Sequence, residues 1–208
     1  EAGQAINLAI KATDSDSADV ITLTASGGPI TEVIGNLALF PSGIIGIDSV
    51  KGTFIWNTQC PHVRKKPYQV IFKAEDNNQI VSLIDLATLN ITVIGPKTKN
   101  IQAVSSIGGI SLSWDSNSCT DVIGYKVFRQ IDSNPWQNDT CEVSIPAYTG
   151  YTQVGSTSGI NNSSFFDSTT IEGNIYCYRI VACYTDGAES YSSVEVCSEP
   201  FEISPIPT

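Results

Sequence analysis

Apolar and polar positions alternate with period two along most of the chain, and no 3.6-residue apolar stripe interrupts them. Ile6, Leu8, Ile10 and Ala12 share one parity before the turn Asp14-Ser15-Asp16-Ser17. Ile21, Leu23 and Ala25 repeat the pattern as far as Gly27-Gly28-Pro29. Phe54 and Trp56 follow, then Tyr68, Val70, Phe72 and Ala74, then Leu89, Ile91 and Val93. Each run places its apolar side chains on a single face, as a half-buried strand requires. The segment Gly95-Pro96-Lys97-Thr98-Lys99-Asn100 then breaks the pattern. Pro96 has no N–H to give to a ladder and the segment holds no large apolar side chain, which predicts a domain boundary. Alternation restarts at Ile110, Leu112 and Trp114 and continues through Tyr125 and Val127, 151–155, and Phe165 or Phe166. It ends with Tyr176, Tyr178, Ile180 and Ala182 and a last strand around Val194 and Val196. The prediction is an all-β chain of two tandem β-sandwiches, residues 1–95 and 96–208. Within the second, residues 131–149 form a long polar insertion holding Pro135, Trp136, Cys141 and Pro146. A loop of that length in a compact domain is either functional or pinned down.

Composition narrows the class. Of 208 residues, 41% are apolar, enough for a core, and 11 Lys and Arg against 21 Asp and Glu give a net charge of −10. Nucleic-acid binding calls for a basic face, so no nucleic-acid partner is expected. No apolar run is long enough for a membrane span and no signal peptide opens the chain. Without a single Met, the sequence reads as a processed protein or a fragment, with neighbouring domains of the same polypeptide as partners.

Cys60, Cys119, Cys141, Cys177, Cys183 and Cys197 include no C-x-x-C, and His62 is the lone histidine, so structural zinc is not expected. An even count points to disulfides and an oxidising compartment. With Tyr176, Tyr178, Ile180 and Ala182 inward, Cys177 and Cys183 point outward, too far apart along one strand to bond each other. Opposed residue numbers keep a constant sum along an antiparallel hairpin, and a turn centred on Gly187 places Cys177 opposite Cys197. The nearest sensible partner of Cys119 is Cys141, a bond that would tie the insertion down and stabilise by roughly 3 kcal/mol. Cys60 and Cys183 remain, with a bridge between domains and two free thiols equally open.

Ile110-Ser111-Leu112-Ser113-Trp114, followed by Gly124-Tyr125-Lys126-Val127-Phe128-Arg129, resembles strands B and C of a fibronectin type III domain. Tyr176-Cys177-Tyr178-Arg179-Ile180-Val181-Ala182, with Asp186-Gly187 and Glu189-Ser190, resembles its strand F, F–G turn and strand G. The resemblance implies that Tyr176 is the buried tyrosine of the E–F corner, its hydroxyl bonded to backbone. It also makes 131–149 an enlarged C–C′ connection. Less specifically, Ala12-Thr13-Asp14-Ser15-Asp16 and Tyr68-Gln69-Val70-Ile71-Phe72-Lys73-Ala74-Glu75-Asp76 resemble a cadherin-like, immunoglobulin-like domain. The combination is similar to large surface proteins associated with bacterial gliding motility, which implies export and display at the cell surface, outer-membrane-associated.

Candidate chemistry is sparse. Asp14, Asp16, Asp19 and Asp76 are the metal candidates, because calcium takes oxygens from acidic loops and the cadherin resemblance brings these loops to one pole. Against this stands the ordinary place of Asp and Ser in surface turns. His62-Val63-Arg64-Lys65-Lys66 is the one basic cluster, either a solvated loop or a contact for an acidic glycan. Trp136, near Tyr148 and Tyr151, is either a ligand-binding ring that stacks on sugar or a cover for a sheet edge. Asn90, Asn138, Asn161 and Asn162 begin glycosylation sequons that matter only in a eukaryotic secretory host. No nucleophile motif accompanies His62 and no phosphate-cradling loop is present. The expectation is a non-enzymatic adhesion and spacer fragment without cofactor, calcium apart, whose partner is a surface protein or glycan. The alternative is an accessory carbohydrate-binding module of a secreted enzyme.

Overall fold

The computed structural model describes residues 1–16, 19–140 and 142–199, and the chain divides into two compact units, Glu1–Val93 and Ile94 onward. Both are all-β. In unit 1, β1 (Ala5–Thr13) pairs antiparallel with β4 (Ser49–Asn57), while β3 (Ile44–Ile47), β2 (Val20–Gly27), β5 (Tyr68–Glu75) and β6 (Ile84–Ile91) form the second sheet in that order. Gly28–Thr31 makes one helical turn, α1, started by Pro29, whose fixed φ suits that position.

The unit 1 core is aromatic. Phe54, Trp56, Val70 and Leu23 are fully buried, and the Phe72 ring meets Phe54 and Phe40 edge-on with centroids 6.0 and 5.3 Å away. Gly52 faces inward on β4, and any side chain there would strike Phe40 and Ile44. Trp56 packs against both His62 and Tyr68 at 4.9 Å. His62 is itself wholly buried: Nδ1 accepts from the Gln59 N–H at 2.9 Å and Nε2 lies 2.8 Å from the Ile34 carbonyl.

Unit 2 has a three-stranded sheet, β11 (Ser164–Asp167), β8 (Gly109–Ser113) and β7 (Gln102–Ser106). It faces a four-stranded sheet in the order β10 (Thr152–Ser158), β9 (Val122–Ile131), β12 (Tyr176–Tyr184), β13 (Val196–Ser198). This is the fibronectin type III-like order, with strands A, B and E against C′, C, F and G. Tyr176 is buried and its hydroxyl accepts the Ile171 N–H at 3.0 Å, the contact that the corner resemblance implies. The Trp114 and Tyr125 rings meet edge-on at 5.4 Å.

Two differences from the sequence expectation stand out. Gly95 and Pro96, read as linker, are buried within unit 2. The Pro96 carbonyl accepts from Asn117 Nδ2 at 2.8 Å, and the bare Cα of Gly95 lets the Tyr184 ring lie directly on it. The last strand is also shorter than the alternation predicts, leaving Val194 outside it and 60% exposed.

Candidate functional site

The acidic loops of unit 1 converge. Carboxylate oxygens of Asp14, Asp19 and Asp76 lie within 4.8 Å of one another. Asp14 follows the end of β1, Asp19 precedes β2 and Asp76 follows β5, so the sheet ends set their spacing. The Asp14 N–H donates to the Asp48 carbonyl at 2.9 Å and the Asp48 N–H to the Asp19 carbonyl at 3.2 Å, which locks the two loops together. Asp76 is buried, and its Oδ1 accepts the Leu83 and Asn78 N–H groups at 3.0 and 3.2 Å. Asn78 Nδ2 donates to Asp19 Oδ2 at 3.1 Å. Asp16 is not in this group: its side chain is exposed, and its N–H caps Asp14 Oδ1 at 3.0 Å. Among the described residues none of the three clustered carboxylates has an ion-pair partner. Three hard oxygen donors held this closely repel one another, and a divalent cation would relieve that.

In unit 2 the insertion lies against the outward face of β12 and buries it. Cys177, Arg179 and Val181 all point away from the sandwich core, yet each is buried. Ile145, Tyr151 and Val181 form a second apolar cluster with Phe128 and Trp136 against it. Arg179 is the hub. Its Nε donates to Tyr151 Oη at 3.1 Å, its Nη1 to the Ser193 carbonyl at 3.0 Å, and its Nη2 to the Asn134 and Trp136 carbonyls at 3.3 and 2.8 Å. The guanidinium also sits 5.5 Å from both the Trp136 and Tyr151 ring centres. Glu195 closes the arrangement, accepting from the Asn134 N–H at 2.9 Å and from the Ser133 and Tyr151 hydroxyls. Asn138 Nδ2 holds the Ser144 carbonyl at 2.7 Å while its Oδ1 takes the Ser192 N–H at 2.8 Å. Sequence reasoning missed Arg179, although a lone Arg in an apolar strand beside a long insertion was a signal.

Trp136 is therefore half-buried cover for a sheet face, with Nε1 donating to Tyr148 Oη at 3.2 Å and Tyr148 Oη donating to Glu142 at 2.6 Å. Tyr148 itself is 71% exposed.

Cys177 and Cys197 are bonded, facing each other across β12 and β13. The hairpin is not regular, however. Beside the turn Cys183 bridges Glu189, and counting outward from there without slippage would set Cys177 against Glu195. Irregular backbone before β13 absorbs the difference. Cys60 and Cys119 are each disulfide-bonded, and Cys183 is a free thiol, so the Cys60–Cys183 bridge is not formed. On β12, Cys183 stands opposite Gly124 of β9, half-buried beside the Lys126–Glu189 ion pair, and burial pushes its thiol pKa up. Cys141, the expected partner of Cys119, lies outside the described residues.

Buried Asp167 and half-buried Glu195 of unit 2 are framework groups. Burial works to raise Asp167, but the Thr169 hydroxyl and N–H, Arg129 at 2.7 Å and the Tyr178 hydroxyl at 2.9 Å outweigh it and hold the carboxyl below its usual range. Glu195 is lowered in the same way, burial being outweighed by Ser133, Tyr151 and the Asn134 N–H. Burial, reinforced by Glu195, pushes Tyr151 up to about 12. A carboxyl whose folded pKa is depressed adds stability above its unfolded value, and that stability disappears as pH falls through the folded one. Unit 2 is thus expected to lose stability progressively below about pH 4, the ordinary carboxylate range. Urea midpoints measured between pH 6 and 2 check this, with Asp167→Asn and Glu195→Gln each flattening the slope.

No protein-family model matches the chain, and no curated protein matches it. Among solved structures, a two-domain fibronectin type III segment of chicken tenascin aligns over 93% of this chain and 91% of its own, at 12% identity and a TM-score of 0.42. A fibronectin type III-like protein of Clostridium thermocellum covers 53% of this chain and 96% of its own, at 19% identity and a TM-score of 0.34. Pectate lyase PelI of Erwinia chrysanthemi, solved with tetragalacturonic acid, aligns over 49% of this chain at 19% identity and a TM-score of 0.38, and this chain spans 28% of the lyase chain. None of these likenesses assigns a role to a residue here.

Proposed function

We propose that this chain is a non-enzymatic adhesion and spacer segment of a larger exported protein. The observation that carries the reading is how the groups able to do chemistry are used. His62 has both ring nitrogens engaged inside unit 1, and Asp167, Glu195 and Arg179 are spent on holding strands and the insertion together. Disulfide-bonded cysteines support an oxidising, extracellular setting. No described helix is long and apolar enough to cross a membrane. The cadherin-like kinship of unit 1, and placement in a gliding-motility-associated surface protein, belong to this proposal and rest on the sequence resemblance. Its partner is a surface protein or glycan. A hydrolase panel is expected to give no turnover; turnover abolished by one carboxylate substitution would overturn the reading.

Calcium at Asp14, Asp19 and Asp76 is part of the proposal. Extracellular modules bind this ion at about 10⁻⁴–10⁻³ M, and a tenfold excess over Kd stabilises by about 1.4 kcal/mol. For a domain of this size each kcal/mol is worth about 4–8 °C. Calorimetry should therefore show the unit 1 midpoint rising with millimolar calcium, an increase absent in Asp19→Asn and Asp76→Asn and kept in Asp16→Asn. An unchanged wild-type midpoint refutes the site.

The exposed Tyr148 ring, hydrogen-bonded between Trp136 and Glu142, favours a second reading as an accessory carbohydrate-binding module. A glycan array in which saturable binding is lost in Trp136→Ala would support it.

A further inference from the structure

In a chain of net charge −10, Arg64, Lys65 and Lys66 form the one run of three consecutive cations, and the structure gives that run a shaped surrounding. An open cavity of about 770 Å³ in unit 1, within the size range of ligand sites, is lined by Arg64 and Lys66, by Gln69 and Asn90 from β5 and β6, and by Glu32 and Ile34 from the segment after α1. We infer that this groove binds an acidic polysaccharide, its uronate carboxylate at Arg64 and Lys66 and its ring hydroxyls at Gln69 and Asn90.

The walls are preorganised. Arg64 stacks over the Tyr68 ring at 3.4 Å, its Nε donating to the Lys66 carbonyl at 2.8 Å and its Nη2 to the Pro67 carbonyl at 3.1 Å. Those bonds fix the guanidinium, and among the described residues Nη1 has no hydrogen-bond partner and can donate to a ligand. The buried His62 anchors both sides of the groove: its Nε2 reaches the Ile34 carbonyl, and its own carbonyl accepts the Tyr68 hydroxyl at 3.0 Å. Such rigidity lowers the ordering cost of binding.

The polar pattern selects a sugar acid over a bare polyanion. Gln69 and Asn90 are opposed across β5 and β6 and share one hydrogen bond, Gln69 Nε2 to Asn90 Oδ1 at 3.1 Å. That leaves Gln69 Oε1 as an acceptor and Asn90 Nδ2 as a donor side by side, which matches the donor–acceptor character of vicinal hydroxyls. Glu32, in the same lining, has a carboxylate able to accept from hydroxyls. Phosphate or sulfate clusters ask for donors alone. Ile34, 79% exposed, offers an apolar surface to the C–H face of a ring.

This inference rests on the adhesive reading and names its ligand class. Affinity electrophoresis of the whole chain through gels containing polygalacturonate, alginate, dextran sulfate or neutral dextran tests it. Retardation by a polyuronate, weakened at least tenfold in Lys66→Glu and Gln69→Ala but kept in Trp136→Ala, is the expected result. Circular dichroism of the variants confirms that they fold. Three outcomes overturn the inference: no retardation by either polyuronate, retardation indifferent to Lys66 and Gln69, or equal retardation by dextran sulfate. Each leaves the adhesive reading standing, because that reading fails on the separate hydrolase panel.

Discussion

Replacing Arg179 with Ala is expected to destabilise unit 2 by about 3–5 kcal/mol, the range for removing one member of a buried, hydrogen-bonded charge network. The side chain is 5% exposed and holds three carbonyls and one hydroxyl. Without it the Asn134, Trp136 and Ser193 carbonyls and the Tyr151 hydroxyl lose a donor in a dry place, and Glu195 loses a nearby positive charge. Arg179→Lys is expected to recover little, because a single ammonium cannot reproduce a planar fork serving carbonyls on both sides. Thermal midpoints give the size of the effect. Its location is read by Trp136 emission and by limited proteolysis, which should begin within 132–150 while the rest of unit 2 stays intact. A variant as stable and as protease-resistant as the wild type would remove the insertion-clamp account.

Trp56→Ala is the matching test in unit 1, with an expected loss of about 3–5 kcal/mol. Trp56 is fully buried between His62 and Tyr68, and its Nε1 donates to the Asn36 carbonyl at 2.9 Å. Domains are stable by only about 5–15 kcal/mol, so this change removes a large part of what unit 1 has. Because each unit has its own core, amide exchange should accelerate in β5 and stay slow in β12. Equal acceleration in both would mean that the chain unfolds as one cooperative body.

Legibility along the chain followed one rule: alternation is visible where one face is greasy and the other is not. That is why β1, β4, β5, β8 and β9 were readable. β7 was not, since its inward positions are Ala103 and Ser105 while Val104 points out, 56% exposed. β3 failed for the opposite reason. Ile45 and Ile47 face solvent, 69% and 65% exposed, and the inward positions are Ile44 and Gly46, so the run Ile-Ile-Gly-Ile carries no period. On β12 the inward set was correct, but its outward residues Cys177, Arg179 and Val181 are as buried as the inward ones, a consequence of an insertion with no regular pattern of its own.

The candidate sites divide in the same way. Asp14 and Asp76 were legible as acids at strand ends, yet the choice of Asp19 over Asp16 as their companion depends on how the loop between β1 and β2 is tied to Asp48. The groove at Arg64 was visible only as a run of charge, since its other walls include Glu32 and Ile34 from well before the run and Asn90 from a later strand. By itself, then, the sequence determined the class of architecture, two sandwiches in tandem with their inward side chains, because period-two burial is a local property that each strand carries. The tertiary structure alone decided what covers β12, which acids meet, and which cysteines other than Cys177 and Cys197 are bonded. Those depend on contacts between distant segments, where packing and irregular backbone, rather than local periodicity, set the distances.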